Sequence, residues 1–302
     1  MEAKPVIIRE VWAENLEFEF SLIEKAIPLH PLVSLDTEFP GTIFKSNHNS
    51  SASPHDVYSN MKLNVDVLKI VQLGLTLSDP NGNLPSFGTE SSYIWQFNFR
   101  DFDIHRDPCN EESIKLLKKQ GIDFNKNREK GIDSRIFGGR WVWSLVTSHY
   151  KSSSTWITFH GGYDIGLLIK IFTGQNLPSQ LEWFLKLVEF YFGNHVYDLK
   201  YMSYNHGLHG GLEKLATNMG VYRICGNSHE AGSDSLLTLQ TFIKFLHLYF
   251  DRINFNASHG VLYGLCFKTA YPYLLPIKFY ANTYMTFPPL QSTTWFQVPE
   301  VL

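Results

Sequence analysis

The segment VSLDTEFPG, residues 33–41, restricts the fold more than any other in the chain. Val33, Leu35 and Phe39 mark a strand entering a core, and Pro40-Gly41 stops it. Side chains at i and i+2 of a strand point the same way, so Asp36 and Glu38 share one face, about 7 Å apart. Two like charges so placed repel unless a cation lies between them. The alternative is a surface strand with two solvated acids, which the apolar neighbours oppose.

The rest of the composition suits a globular protein. With 302 residues, 44% of them hydrophobic and 15% aromatic, the chain can bury a large core. A net charge of −3 announces no general basic surface for nucleic acid, though a local metal site can attract phosphate. Cys109, Cys225 and Cys266 are scattered and odd in number. They suggest neither a disulfide framework nor a zinc cluster, and point to a reducing compartment. The start, MEAKPVIIREVWAENLEFEF, has acids where a signal peptide needs an apolar run. Lys268, Pro272, Pro276 and Lys278 interrupt the most apolar C-terminal stretch, so no membrane span is expected.

Periodicity organises the chain as one α/β unit over residues 1–266, followed by a proline-containing aromatic tail, 267–302, without clear periodicity. Residues 9–27 read as an amphipathic helix with Val11, Leu16, Phe20, Leu22, Ile23 and Ile27 on its apolar side, and 45–60 as a Ser/Asn-rich loop. VLKIVQLGLTLSD and SYIWQFNF read as strands joined through Pro80-Asn81-Gly82-Asn83, giving an antiparallel meander that opens on the Asp36 strand. Helices are expected at about 110–120 and 131–147. Strand TWITFHG, helix YDIGLLIKIF, helix WFLKLVEFYF, strand HVYDLKYM and helix GGLEKLATNM follow. The last helix is SDSLLTLQTFIKFLHLYF, with Ser233 or its neighbour as cap. The expected architecture is a mixed central sheet flanked by helices.

Further acids join the first pair. Asp164 follows a strand where Gly161 and Gly162 permit a tight turn, and Asp234 stands at the start of the last helix. Each alone is explained as a helix-start aspartate favoured by the dipole. Together, D-x-E on an early strand, a later Asp and an H-x4-D at His229 and Asp234 point elsewhere. Four carboxylates in such places can hold two hard divalent cations, stabilising both the attacking and the leaving oxygen in phosphodiester hydrolysis. His229 then serves as the base, for which the ordinary imidazole pKa near 6.5 is suited.

D-x-E, Asp and H-x4-D in this order resemble the DEDDh exonucleases. Glu230 stands where the other branch of that superfamily carries tyrosine. IREVWAENLEFEFSLIEKAI, DTEFPG, KLNVDVLKIVQLGLTLSDPNGNLP, IWQFNFRDFD, GIDFNKNREKGIDSRIFG, TFHGGYDIGLLIKI, VYDLKYM, GLHGGLEKLA, AGSDSLLT and GVLYGL look like the hallmark segments of one subfamily, the CCR-associated-factor (Caf/Pop) deadenylases. The resemblance runs from residue 8 to about 265. It implies a ribonuclease H-like fold and a poly(A)-specific 3′-to-5′ exoribonuclease. It also implies two Mg2+ ions, for which Mn2+ can substitute, held by Asp36, Glu38, Asp164 and Asp234. Asp36 would bridge the ions and His229 would be the base. The implied partners are poly(A) RNA, the NOT scaffold and the CCR-type deadenylase subunit of the CCR–NOT complex, in nucleus and cytoplasm. A non-catalytic adaptor of that complex and a DNA 3′-exonuclease are the readings weighed against it. All five expected residues are present, which opposes the adaptor.

The chain departs from the family pattern in places. Gly161 replaces a usual serine, Ser228 a common cysteine, the approach to His229 is one residue longer, and residues 139–154 fit poorly. Three other features read as structural. His206 and His209 have a metal-like spacing without a third ligand. Asp198 follows an apolar strand and is expected either near the site in a supporting role or simply as a buried polar group, in both cases outside the ligand set. The basic residues over 118–140 alternate with acids on a solvated surface. Trp95, Phe97 and Phe99 alternate along a strand and are expected in the core.

Overall fold

The computed structural model describes residues 4–45, 52–147, 154–253 and 258–265. Six strands, Val6–Val11 (β1), Leu32–Glu38 (β2), Gln72–Ser78 (β3), Ser92–Asn98 (β4), Thr155–Thr158 (β5) and Val196–Asp198 (β6), form one sheet in the order β1-β4-β3-β2-β5-β6. β3 runs antiparallel to both neighbours and every other pairing is parallel. Inside β1, the order with its single antiparallel strand is that of the ribonuclease H-like fold. The β2-β3-β4 meander is present, with a helix inserted between β2 and β3.

The two sheet faces carry different chemistry because strand side chains alternate. Val33, Leu35, Leu75 and Leu77 face Phe20 and Ile23 of the helix Leu16–Ala26 (α1), Trp141 of Ser134–Thr147 (α5) and Leu168 of Gly162–Thr173 (α6) in one large core. Trp95, Phe97 and Phe99 are buried in the same core, as expected. The opposite face is crossed by the long helix Ala231–Tyr249 (α10), whose Leu239, Phe242 and Phe245 pack with Ile157 and Tyr197. Asp36 and Glu38 belong to this second face.

The structure corrects several sequence expectations. Residues 9–27 are not one helix: β1 occupies Val6–Val11 and α1 starts at Leu16. Asn15 makes the break, its Oδ1 accepting from the Trp12 N–H at 2.7 Å and its Nδ2 donating to the Glu10 carbonyl at 3.0 Å. The helical period of Val11, Leu16, Phe20 and Ile23 hid a strand that is specified by pairing with β4, 86 residues away. Arg9 then latches strand to helix through a two-pronged pair with buried Glu19, at 2.6 and 2.7 Å.

Residues 45–60 are not all loop. Ser53 caps a helix over Pro54–Val67 (α2), in a capping box with Asp56 and with proline in the first turn. Polar composition masked this start. Lys170 closes the other end of α2, donating to the carbonyls of Val65, Asp66 and Leu68 at 2.8–2.9 Å.

Other corrections are local. VLKI precedes β3 rather than belonging to it, and HVYDLKYM divides into β6 and a helix, Leu199–Tyr204 (α8), capped by Asp198. Phe124–Lys130 (α4) adds a helix between Glu111–Lys119 (α3) and α5. Ser233 does not cap α10. The cap position is Glu230, and Ser233 lies buried in the first turn. Leu181–Phe192 (α7) and Leu212–Asn218 (α9) appear where expected. The tail 267–302 lies outside the described residues.

Candidate active site

β2 outruns β5. Its pairing with β5 covers Leu32 to Ser34, so beyond that point the β2 edge is open. There the Thr37 N–H and hydroxyl both donate to Asp164 Oδ1, at 2.7 and 2.6 Å. Asp164 sits in the first turn of α6, delivered by the His160-Gly161 turn after β5. Asp198 holds that turn, its carboxylate accepting the N–H groups of His160, Gly161, Lys200 and Tyr263 at 2.8–3.1 Å. His160 is thereby kept at φ +62°. Asp198 is fully buried and outside the acid cluster, as the sequence suggested.

On the other edge, Asp36 pairs in register with Gly74 of β3. A Cβ at residue 74 would lie 1.8 Å from the Ala231 carbonyl oxygen. This missing side chain lets the start of α10 rest directly on the sheet, and it places Asp234 above Asp36. Asp234 Oδ1 accepts from Arg223 Nη2 at 2.6 Å and Oδ2 from the His229 backbone N–H at 2.9 Å. His229 is exposed and adopts φ +60°, a left-handed conformation that histidine tolerates better than most residues. One ring nitrogen of His229 and one carboxylate oxygen each of Glu38 and Asp234 lie within 4.8 Å of one another.

All five candidate residues are therefore brought to one place. Glu38, Asp164 and Asp234 are buried and Asp36 is half-buried. Burial, and then the neighbouring acids Asp164, Asp234 and Glu38, push the Asp36 carboxyl well above its usual range. Glu38 is pushed up to about 8 by burial and then by Asp234 and Asp164. Burial takes Asp164 to about 6 against the opposing Thr37 hydrogen bonds. Burial also raises Asp234, while Arg223 opposes the rise. Four acids that resist ionising beside one another, all with hard oxygen donors, fit divalent cations such as Mg2+ or Mn2+.

This makes a stability prediction. A carboxyl whose folded pKa is raised binds more protons folded than unfolded, so the fold loses stability as pH rises from the ordinary carboxylate range towards the folded value. The metal-free protein should melt at progressively lower temperature between pH ~5 and ~8, and Mg2+ should flatten that slope. Thermal scans with and without chelator check it; parallel slopes in the two series would remove the cation-site reading.

The structural readings of other motifs hold. His206 Nδ1 pairs with the Met202 carbonyl at 2.9 Å, and its ring packs against Phe245 and Tyr249. The His209 ring packs on Tyr204. Among the basic residues of 118–140, Arg135 pairs with Asp133, and Arg140 with Glu17 and Glu24. The Gly161 departure has a local reason, since a Cβ there would lie 2.3 Å from Thr158 Oγ1. The longer approach does not carry His229 away from the acids.

Sequence reasoning missed Thr37, Gly74 and Arg223. A lone glycine in an apolar strand signals close backbone approach, so Gly74 was findable. Arg223 carries no such signal.

Comparison with known proteins supplies independent findings. The family model described as CAF1 family ribonuclease matches residues 11–134 and 133–242. A probable CCR4-associated factor 1 homolog 10 of Arabidopsis thaliana is 47% identical over 261 residues, 86% of this chain and 92% of that protein. The poly(A) ribonuclease pop2 of Schizosaccharomyces pombe is 40% identical over 259 residues, covering 85% and 75%. The solved structure of S. pombe Pop2p in its Mg2+ and Mn2+ bound form superposes with a TM-score of 0.77 at 40% identity, over 85% of this chain and 99% of that one. CAF1 co-crystallised with the yeast NOT1 MIF4G domain gives 0.68 at 33%, over 85% and 96%.

Proposed function

The chain belongs to the CAF1 family of ribonucleases, and from that premise we propose that it is a poly(A)-specific 3′-to-5′ exoribonuclease of the CCR–NOT complex, acting in mRNA turnover with two divalent cations. The observation that carries this reading is the convergence of Asp36, Glu38, Asp164 and Asp234 with His229 at the open end of β2.

Asp36, Glu38, Asp164 and Asp234 would hold the cations, Asp36 facing the other three acids. When bound, the cations supply charge stabilisation for the attacking and leaving oxygens of the phosphodiester. Thr37 keeps Asp164 turned inward through two hydrogen bonds. The His229 backbone fixes Asp234, while a ring nitrogen, exposed to solvent and facing Glu38 and Asp234, accepts the proton of the attacking water. The intact acid set opposes the adaptor reading.

Magnesium-dependent shortening of a 3′-poly(A) RNA, stopped by EDTA and slower on the DNA equivalent, is the expected result of assay on the purified chain. Activity persisting in EDTA, or cleavage of circular RNA, would contradict it. CAF1, to which this chain is similar, was co-crystallised with the yeast NOT1 MIF4G domain. By that likeness the chain binds the NOT scaffold, and through it joins the CCR-type deadenylase; failure to co-purify with that scaffold counts against this. We also propose nuclear and cytoplasmic residence, on the resemblance of the sequence to the family alone. A tagged chain confined to one compartment would remove it.

A further inference from the structure

We propose that Arg223 is a positioning residue for hydrolysis, a half-buried fork that fixes Asp234 and the loop bearing His229 as one unit. Its side chain is only 13% exposed. Nη2 is shared between two carboxylates, Asp234 Oδ1 at 2.6 Å and Glu213 Oε2 at 2.7 Å. Nη1 donates to Ser233 Oγ at 2.5 Å and to the Asn227 carbonyl at 3.2 Å. Ser233 in turn donates to the Cys225 carbonyl. One guanidinium thus ties α9, the first turn of α10 and Asn227 directly, and reaches Cys225 through Ser233 and His229 through Asp234.

The geometry makes Arg223 more than a counter-charge. Asp234 has one oxygen held by Arg223 and the other by the His229 backbone. Rotation of that carboxylate would therefore disturb a cation ligand and the base together. A planar fork with several donors can hold such a set; the single ammonium of lysine cannot, though it carries the same charge. Glu213, the outer anchor, has a side chain 56% exposed and outside the acid cluster. It prevents the guanidinium from swinging inward.

The test uses full-length Arg223→Lys and Glu213→Ala beside wild type, measuring kcat and KM on 3′-poly(A) RNA, Mn2+ affinity by electron paramagnetic resonance, and Tm. Misplacing a reacting group by about 1 Å can lower rate about 100-fold. Arg223→Lys should therefore lose about 10- to 100-fold in kcat, with KM changed less than about threefold and Tm near wild type. Glu213→Ala should show the same split with a smaller kcat loss. Wild-type kcat in Arg223→Lys shows that charge alone suffices and overturns the proposal. So does a kcat loss that is matched by a rise in KM and a fall in Tm. Should Arg223→Lys not fold, Glu213→Ala decides: lowered kcat at unchanged KM supports positioning, and wild-type kcat refutes it. The inference rests on the nuclease reading above, and the same assay separates the two. An inactive wild type sinks that reading, whereas an active wild type with an equally active Arg223→Lys sinks this one.

Discussion

Asp36→Ala is expected to abolish hydrolysis and divalent binding, yet to raise the melting temperature of the metal-free protein. The physical reason is the crowding of like charges: Asp36 faces Asp164, Asp234 and Glu38, each of which opposes its ionisation. Removing it would delete the proposed central ligand and relieve repulsion in the same step. His229→Ala should behave differently. The alanine keeps the backbone N–H that binds Asp234 and leaves all four acids in place. On the proposed mechanism it removes proton transfer, an effect typically worth about 10²- to 10⁴-fold in rate. Metal and RNA binding should survive, and the residual rate should climb with pH as hydroxide replaces the base. Calorimetric metal titration, melting curves and pH–rate profiles of both variants make the comparison. Loss of metal by His229→Ala would make that side chain a ligand, and full turnover would remove it from the chemistry.

Gly74→Ala should also lower activity strongly, without touching a charged group. The added methyl would lie 1.8 Å from the Ala231 oxygen, 2.1 Å from its carbonyl carbon and 2.6 Å from the Gly232 nitrogen. All three are backbone atoms at the start of α10, so no side chain can yield. Either β3 or the helix must shift by an ångström or more, and Asp234 moves with the helix. Overpacking of this kind costs about 1–3 kcal/mol, and the displaced carboxylate about 100-fold in rate. The hydrogen bonds that seat the helix, from Gly232 N–H to Gln96 at 2.9 Å and between Ser235 and Thr76 at 2.8 Å, would loosen as well. A variant with normal kcat and a normal melting curve would show that α10 does not depend on this contact.

The common face of Asp36 and Glu38 was legible from sequence because strand alternation is local, two residues deep. So were α6, α7 and α10, whose apolar positions repeat at the helical period over ten or more residues. The candidate acids and His229 followed from spacing and from the family resemblance. By contrast, β1 was read as helix because its strand character comes from pairing with β4, a partner 86 residues away. The start of α2 was hidden because a short cap, Ser53 with Asp56, outweighs a loop-like composition. Thr37 and Asp164 are 127 residues apart, and no local pattern links them. Arg223 is the extreme case. Its neighbours in sequence show a lone basic residue, while the folded chain gathers Glu213, Asp234, Ser233 and Asn227 around it. Residue type and period are properties of a segment, and they determined which groups could do the chemistry. Their aim was decided by backbone approaches such as Gly74 against Ala231, which exist only once distant segments are packed.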